Sequence, residues 1–336
     1  MILVTGATGH IGNVLTRELV SRGEKVRALF LPGEDPAPLE GVDVERFEGD
    51  ILDPDSLASA VQDVTTVFHL AGLISIMPGM GESLYRVNVI GTQNVARACL
   101  RAGVRRLVYT SSIHAIAMPP EGITIDESLP FDPEQAWGDY DRTKAMASLE
   151  VRKAVADGLD AVIVCPTGVI GPYDYRGSEL GTFLLGCAQA KPKFYIDGAY
   201  DFVDVRDVAR GHILACERGK RGESYILGGA QIGVKQIITM VEEITGRVGP
   251  HLRVPFWLAR LAGAVAPFYY RLAKAKPHFT PYSIHTVTSN SVISNAKARR
   301  ELGYTSRPLR DSIADTLRWF GVRAAPAPAY ARIDED

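Results

Sequence analysis

Residues 4–12 read VTGATGHIG. Three glycines, Gly6, Gly9 and Gly12, stand between an apolar run that starts at Ile2 and an amphipathic segment over residues 11–21. A strand that feeds a helix through such a turn opens a dinucleotide-binding unit. Gly6 permits the tight turn, Gly9 lets the backbone approach a pyrophosphate, and Gly12 lets helix and strand pack closely. The turn residue Thr8 and the N–H groups of His10 and Ile11 then face the phosphates at the positive end of the helix. His10 is read as a spacer rather than a catalyst.

Beyond this turn the chain repeats β then α units. The segments ILVT, KVRALF, VDVERFEG, TVFHLAG, RLVYTSS and DAVIVCP carry the β-branched, apolar pattern of buried strands, and helical periodicity fills the spaces between them, as in residues 83–102. Apolar strands alternating with helices predict an α/β fold, a doubly wound parallel Rossmann sheet with helices on both faces. The expected division is a dinucleotide-binding domain over residues 1–172, to which 202–228 returns, and a smaller C-terminal substrate-binding domain over 173–201 and 229–325. Residues 326–336 form a tail of alanine, proline and acid.

A net charge of -2 gives no footprint for nucleic acid. Cys99, Cys165, Cys187 and Cys216 are far apart and make no metal-ligand spacing, so reduced thiols and no metal are expected. The chain starts directly on a strand pattern, which predicts a cytoplasmic protein. The apolar stretch at 254–273 has the length of a bilayer span, but Arg260, Arg271, Pro255 and Pro267 interrupt it. It is read as buried or substrate-capping helix, with a weak membrane contact as the alternative.

Further motifs occur in chain order: GDILDP, FHLAG, VNVIGTQNV, YTSS, YDRTK and PTGVIGP. Together with the glycine turn they resemble the extended short-chain dehydrogenase/reductase family, which includes NAD-dependent epimerases and dehydratases, over roughly residues 1–230. Within it the chain is most similar to the dihydroflavonol reductase-like and 3β-hydroxysteroid dehydrogenase group. The resemblance implies that Asp50 and Ile51 flank the adenine, that Leu70, Ala71 and Gly72 line the cofactor, and that Pro166 and Val169 lie near the nicotinamide. It also implies a catalytic hydroxyl at Ser112, the second serine of YTSS, and a supporting role for Asn88. The reading of Asn88 from the residues alone is a buried amide bonded to backbone. A homodimer packed through residues 91–102 and 140–157 is a further implication.

A tyrosine four residues before a lysine occurs twice, as Tyr140–Lys144 in YDRTK and as Tyr270–Lys274 in YRLAK. Position selects the first, because the helix it opens lies between the YTSS and AVIVCP strands, so that Ser112 and Tyr140 meet at the strands' carboxyl ends. Tyr140 is the expected proton donor and acceptor, and Lys144 together with the positive ring of the oxidised nicotinamide is expected to lower its pKa. Lys144 and Tyr140 also count among the cofactor-binding residues. Asp139 and Asp141 are read as solvated helix acids, and His69 and His114 as structural.

Two reactions are compatible with this set. One moves hydride between a nicotinamide and a small, apolar aldehyde, ketone or alcohol; the other recycles NAD on a nucleotide-diphosphate sugar. The chain departs from the sugar pattern twice: SSIHAIA lacks the tyrosine and glycine of SSxxVYG, and Tyr200 stands where an arginine is usual. Arg176, Arg206 or Arg253 is then the available substitute for gripping a diphosphate. A non-catalytic sensor is a third reading, opposed by retention of both Tyr140 and Lys144. The cofactor is NAD(P)(H), and neither an acid nor an arginine near Leu31 selects between the two.

Overall fold

The computed structural model describes residues 1–75, 79–191, 193–259, 261 and 281–324. Tyr270, Lys274, the tail and most of the apolar stretch lie outside them. Seven parallel strands form the central sheet: β1 (Ile2–Thr5), β2 (Val26–Phe30), β3 (Glu45–Glu48), β4 (Thr66–His69), β5 (Arg106–Thr110), β6 (Ala161–Pro166) and β10 (Ser224–Leu227). Their order is β10-β6-β5-β4-β1-β2-β3. All six strand patterns read from the first half of the chain appear in it.

Alternation explains why both faces are covered. Leu3, Val67, Leu107 and Ile163 point into one buried cluster, which also holds Leu57, Val95 and Ala145 from the helices on that side. Their neighbours Val4, Phe68, Val108 and Val162 point into the other, against Leu15 and Ile213. Each fully buried aliphatic side chain of this kind contributes about 1.5–3 kcal/mol, so a one-residue slip of any strand is strongly disfavoured.

The α-helices run in chain order as α1 (His10–Ser21), α2 (Pro54–Ala60), α3 (Gly81–Leu84), α4 (Gly91–Ala102), α5 (Asp139–Ala156), α6 (Glu179–Cys187), α7 (Val205–Arg218), α8 (Val234–Thr245), α9 (Pro281–Thr288) and α10 (Leu309–Trp319) among the described residues. The helical pattern of residues 83–102 is broken by a wider π turn over Tyr85–Ile90, which contains Asn88. Such turns are frequent at functional sites.

Beyond β6 the chain builds smaller sheets. β7 (Gly168–Ile170), β9 (Ala199–Asp204) and β11 (Ala230–Gly233) form one, and β8 (Lys193–Tyr195) pairs with β12 (His251–Arg253). The FVD segment therefore joins the small sheet, pairing with β7 and β11, whereas SYIL joins the main sheet beside β6. No helix among the described residues is long and apolar enough to cross a membrane. All four cysteines are free, and no cluster of potential metal ligands occurs among the described residues.

Candidate active site

The glycine turn closes on itself through the Gly9 N–H, which donates to the Gly6 carbonyl at 3.0 Å. Gly6 has φ +69°, and a Cβ there would stand 2.7 Å from the Ala71 nitrogen; a Cβ on Gly12 would collide with the Gly6 carbonyl oxygen. Larger residues are excluded at both positions. Gly9 caps α1 without a side-chain bond, and the first turn holds no acid. The first-turn N–H groups at His10, Ile11 and Gly12 have no intrahelical acceptor, so the residues present fit a dinucleotide's pyrophosphate. Thr8 is buried here and accepts from Arg176 at 3.1 Å. His10 Nε2 is 3.0 Å from the Pro172 carbonyl, consistent with a packing role.

At the neighbouring strand ends, Asp50 makes a local turn by accepting from the Leu52 N–H at 2.9 Å, and Ile51 is buried with its carbonyl held by Asn94 at 3.1 Å. Leu70 and Ala71 are partly buried after β4, and the Ala71 N–H donates to Thr5 Oγ1 at 3.1 Å. Thr5 in turn meets His69 Nδ1 at 2.8 Å, His69 Nε2 meets Thr92 Oγ1 at 3.0 Å, and Thr92 donates to the Asn88 carbonyl at 2.6 Å. Because Thr92 gives its proton to Asn88, His69 donates from Nε2 and accepts at Nδ1. It is a neutral, structural bridge, and burial holds it down to about 3.

The Asn88 amide bonds both ways with Leu73: Oδ1 accepts from its N–H at 2.8 Å and Nδ2 donates to its carbonyl at 3.0 Å. Nδ2 also reaches Thr143 Oγ1 on α5 at 3.2 Å. The π turn thereby grips the residue before Lys144. A Cβ on Gly72 would stand 3.2 Å from Asn88 Oδ1 and 3.8 Å from Lys144 Nζ, so these three positions adjoin.

Lys144 Nζ donates to the Thr110 carbonyl at 2.6 Å and to the Tyr109 hydroxyl at 3.4 Å. Buried without a carboxylate partner among the described residues, it is lowered to about 8 by desolvation. Ser111 is taken up structurally: its Oγ lies 2.7 Å from Ser148 Oγ, which donates to the Lys144 carbonyl. Ser112 instead accepts from the His114 N–H at 3.2 Å, and its hydroxyl acts to lower the Tyr140 phenol. Pro166 ends β6 and Val169 lies in β7, both on the carboxyl side of the sheet.

Two expectations need correction. Tyr140 is not lowered by Lys144: burial pushes the phenol up to about 12, against the lowering effect of the Ser112 hydroxyl, and Asp141 adds to the rise. The ammonium is occupied by Thr110. Asp141 is not solvated either; it is 5% exposed, whereas Asp139 pairs with Arg142 at 2.6 Å at the surface. Asp141 Oδ1 accepts from the Tyr282 hydroxyl at 2.5 Å and stands 3.9 Å from His114 Nδ1. His114 Nε2 is 2.8 Å from the Tyr200 hydroxyl. Sequence reasoning missed this group because Tyr282 arrives from more than a hundred residues away. The one local hint was that Asp141 directly follows Tyr140.

Known proteins share this arrangement of elements. The family profile described as "NAD dependent epimerase/dehydratase family" matches residues 2–228. The chain belongs to that family. Its cofactor is accordingly NAD(P)(H). "Sterol demethylase protein B" of Methylococcus capsulatus is 38% identical over 326 residues, 96% of this chain and 98% of the relative. "3 beta-hydroxysteroid dehydrogenase/Delta 5-->4-isomerase" of Mycobacterium tuberculosis is 30% identical over 331 residues, 90% of this chain and 85% of the relative. The crystal structure of gox2253 superposes with a TM-score of 0.83 at 35% identity, covering 96% of this chain and 98% of that one. These relatives fix the protein as an enzyme of the epimerase, dehydratase and reductase family.

Proposed function

We propose that this member is an NAD(P)-dependent carbonyl reductase or alcohol dehydrogenase that moves hydride between the nicotinamide and an apolar aldehyde, ketone or alcohol. The observation that carries the reading is that Ser112 acts on the Tyr140 phenol while the candidate guanidiniums are already paired. Each arginine singled out to grip a diphosphate has a carboxylate: Arg176 pairs with Glu34, Arg206 with Asp204 and Asp315 at 2.8 Å, and Arg253 with Asp197 at 2.5 Å. Tyr200 directs its hydroxyl to His114, and its ring packs on Phe202 at 5.6 Å. Paired guanidiniums and the aromatic Tyr200 favour apolar substrate surface over phosphate. The names of the two relatives, one for a sterol demethylase protein and one for a hydroxysteroid dehydrogenase, support steroid ketones as part of the substrate range.

The cofactor, when bound, supplies or accepts the hydride. Gly6, Gly9 and Gly12 with the start of α1 would hold its pyrophosphate, Leu70, Ala71 and Gly72 would line the cofactor, and Pro166 and Val169 would lie near the nicotinamide. In reduction, Tyr140 donates its phenolic proton to the carbonyl oxygen, and Ser112 hydrogen bonds that oxygen as charge develops on it. A phenol held at about 12 is protonated at neutral pH and suits this direction. Lys144 ties the first turns of α5, and with them Tyr140, to β5 through the Thr110 carbonyl.

The test monitors reduced-nicotinamide absorbance with NADH and NADPH against apolar aldehydes and ketones, steroid ketones included. Tyr140-dependent consumption is expected, with Tyr140→Phe inactive yet binding cofactor within a few-fold of wild type. Activity retained in Tyr140→Phe would overturn the assignment. Tight cofactor binding without consumption would favour the sugar-nucleotide reaction, in which the cofactor is recycled.

A further inference from the structure

We infer that the Glu34 carboxylate selects NAD over NADP, by standing at the strand end where the ribose is read and by occupying the Arg176 guanidinium, which would otherwise grip a 2′-phosphate. Both effects concern the cofactor alone, whichever carbonyl compound is reduced.

An acid or arginine selector belongs about 20 residues past the glycines, near Leu31, where the sequence carries neither. The fold brings an acid back to that place. Leu31, Pro32, Gly33 and Glu34 make a tight turn, closed by the Glu34 N–H donating to the Leu31 carbonyl at 3.0 Å. Proline in the second place and Gly33 at φ +77° in the third are what a type II turn requires. The turn folds Glu34 back, and its Oε2 accepts from the Leu31 N–H at 3.2 Å. Leu31 directly follows β2, whose Leu29 carbonyl accepts from the Gly6 and Ala7 N–H groups at 3.0 and 3.3 Å. The carboxylate therefore stands at the strand end beside the glycine turn, where an acid bonds the ribose 2′-hydroxyl of NAD. Asp35, the next acid, is used locally and accepts from the Ala37 N–H at 3.0 Å.

Arg176 reaches the same spot from the segment after β7. It donates to Thr8 Oγ1 in the glycine turn at 3.1 Å and pairs with Glu34 Oε1. Glu34 thus has one oxygen on the strand end and the other on the guanidinium. The arm that carries Arg176 is fixed on both sides. Tyr173 holds φ +67°, a left-handed conformation uncommon outside glycine and found at ligand clamps. Its carbonyl accepts from Asn13 Nδ2 on α1 at 3.2 Å, and the rings of Tyr173 and Tyr175 pack on Trp319 of α10 with centroids 4.9 and 5.0 Å away. Other guanidiniums of this edge are engaged: Arg27 with Glu45 at 2.8 Å, Arg17 with the Pro38 carbonyl at 2.8 Å, and Arg46 with the Leu39 carbonyl at 3.3 Å.

A carboxylate oxygen accepts more than one hydrogen bond, so a ribose hydroxyl can donate to Glu34 while the tie to Arg176 stays in place. A phosphate monoester carries about -1.5 to -2 charge at neutral pH and, as an acceptor, needs donors. Beside Glu34 it would meet a like charge and an arginine whose N–H fork is already taken. Glu34 thereby opposes NADP by repulsion and by competition for Arg176. Removing the carboxylate alone would convert the same arm into a phosphate grip.

The experiment measures dissociation constants by isothermal titration of the full-length protein with NADH and NADPH, and with 5′-AMP against 2′,5′-ADP to isolate the 2′-phosphate. Wild type is compared with Glu34→Gln, Arg176→Gln and the double variant, with thermal melts to confirm folding. Wild type should bind NADH about a hundredfold more tightly than NADPH. Glu34→Gln should weaken NADH about tenfold and tighten NADPH about tenfold, each the size of one charge-assisted hydrogen bond. The gain for NADPH and for 2′,5′-ADP should vanish in the double variant, because it requires Arg176. Arg176→Gln alone should keep the preference for NADH. Wild type that binds NADPH as tightly as NADH, or an unmoved ratio in folded Glu34→Gln, would overturn selection by Glu34; a gain that persists in the double variant would overturn the part given to Arg176. If Glu34→Gln does not fold, the wild-type ratio and its retention in Arg176→Gln still decide. No readout involves turnover, so failure of the proposed carbonyl reaction would leave these results standing.

Discussion

Lys144 and Lys193 are buried to the same degree, each 7% exposed, yet their partners differ in kind. Lys193, on β8, bonds Glu242 at 2.9 Å, and that carboxylate also takes the Gly249 N–H and His251, each within 2.9 Å. Burial alone would raise Glu242; the hydrogen bonds from Lys193, Gly249 and His251 overcome it and hold the carboxyl at about 2. Lys144 bonds a carbonyl and a hydroxyl instead. One lysine closes a compensated structural network, while the other keeps an uncompensated charge beside Tyr140. A buried cation with no counter-ion is disfavoured for folding, which is why its position marks a functional site.

Replacement by methionine should separate the two most sharply. Lys144→Met should lower turnover by about a thousandfold, within the range for loss of acid–base support, while thermal stability stays level or rises because a buried charge is removed. Lys193→Met should leave turnover near wild type and destabilise by about 3–5 kcal/mol, since Glu242 is then stranded. Calorimetry and steady-state rates on both variants check this. Equal stability losses would erase the distinction.

The same contrast appears in the pH dependence of stability, read as denaturant midpoints. The folded value of Lys144 is depressed from 10.5 to about 8. Below about 8 both folded and unfolded chains carry the proton; between there and 10.5 only the unfolded chain does, so stability should climb with pH across that window. Lys144→Met should flatten the climb. Glu242 is depressed from 4.5 to about 2. Its contribution should be complete above 4.5 and disappear as pH falls toward 2, and Lys193→Met should reduce it.

Smaller effects test the two serines. Ser112→Ala should cost about a hundredfold in turnover through the lost hydrogen bond to the reacting oxygen. Ser111→Ala should cost about 1 kcal/mol of stability with little change in rate, because its hydroxyl is bonded to Ser148. The smallest effect is expected at the second tyrosine–lysine pair, where Tyr270→Phe should leave turnover unchanged. A total loss there would reverse the choice of pair.

The sheet was legible because its signal is local and repeated. Apolar alternation places successive side chains on opposite faces, and the glycine turn admits no other residue at Gly6 or Gly12. Chain order likewise directs attention to Ser112, Tyr140 and Lys144, which stand at adjacent strand and helix ends. Other features left no periodic trace. The π turn at Asn88 looks like continuous helix in sequence, and Asp141 looks like an ordinary exposed acid in a first helical turn.

The sequence by itself determined the doubly wound sheet, the cofactor turn and the Tyr140–Lys144 helix, since each depends on residues close together in the chain or on a repeated pattern. Tertiary structure alone decided that Lys144 bonds Thr110 rather than Tyr140, that Ser111 and Ser112 diverge, and that Tyr282 covers Asp141. These outcomes arise from burial and from contacts between distant segments, and burial decides whether a charge is solvated, paired or left to act on its neighbour.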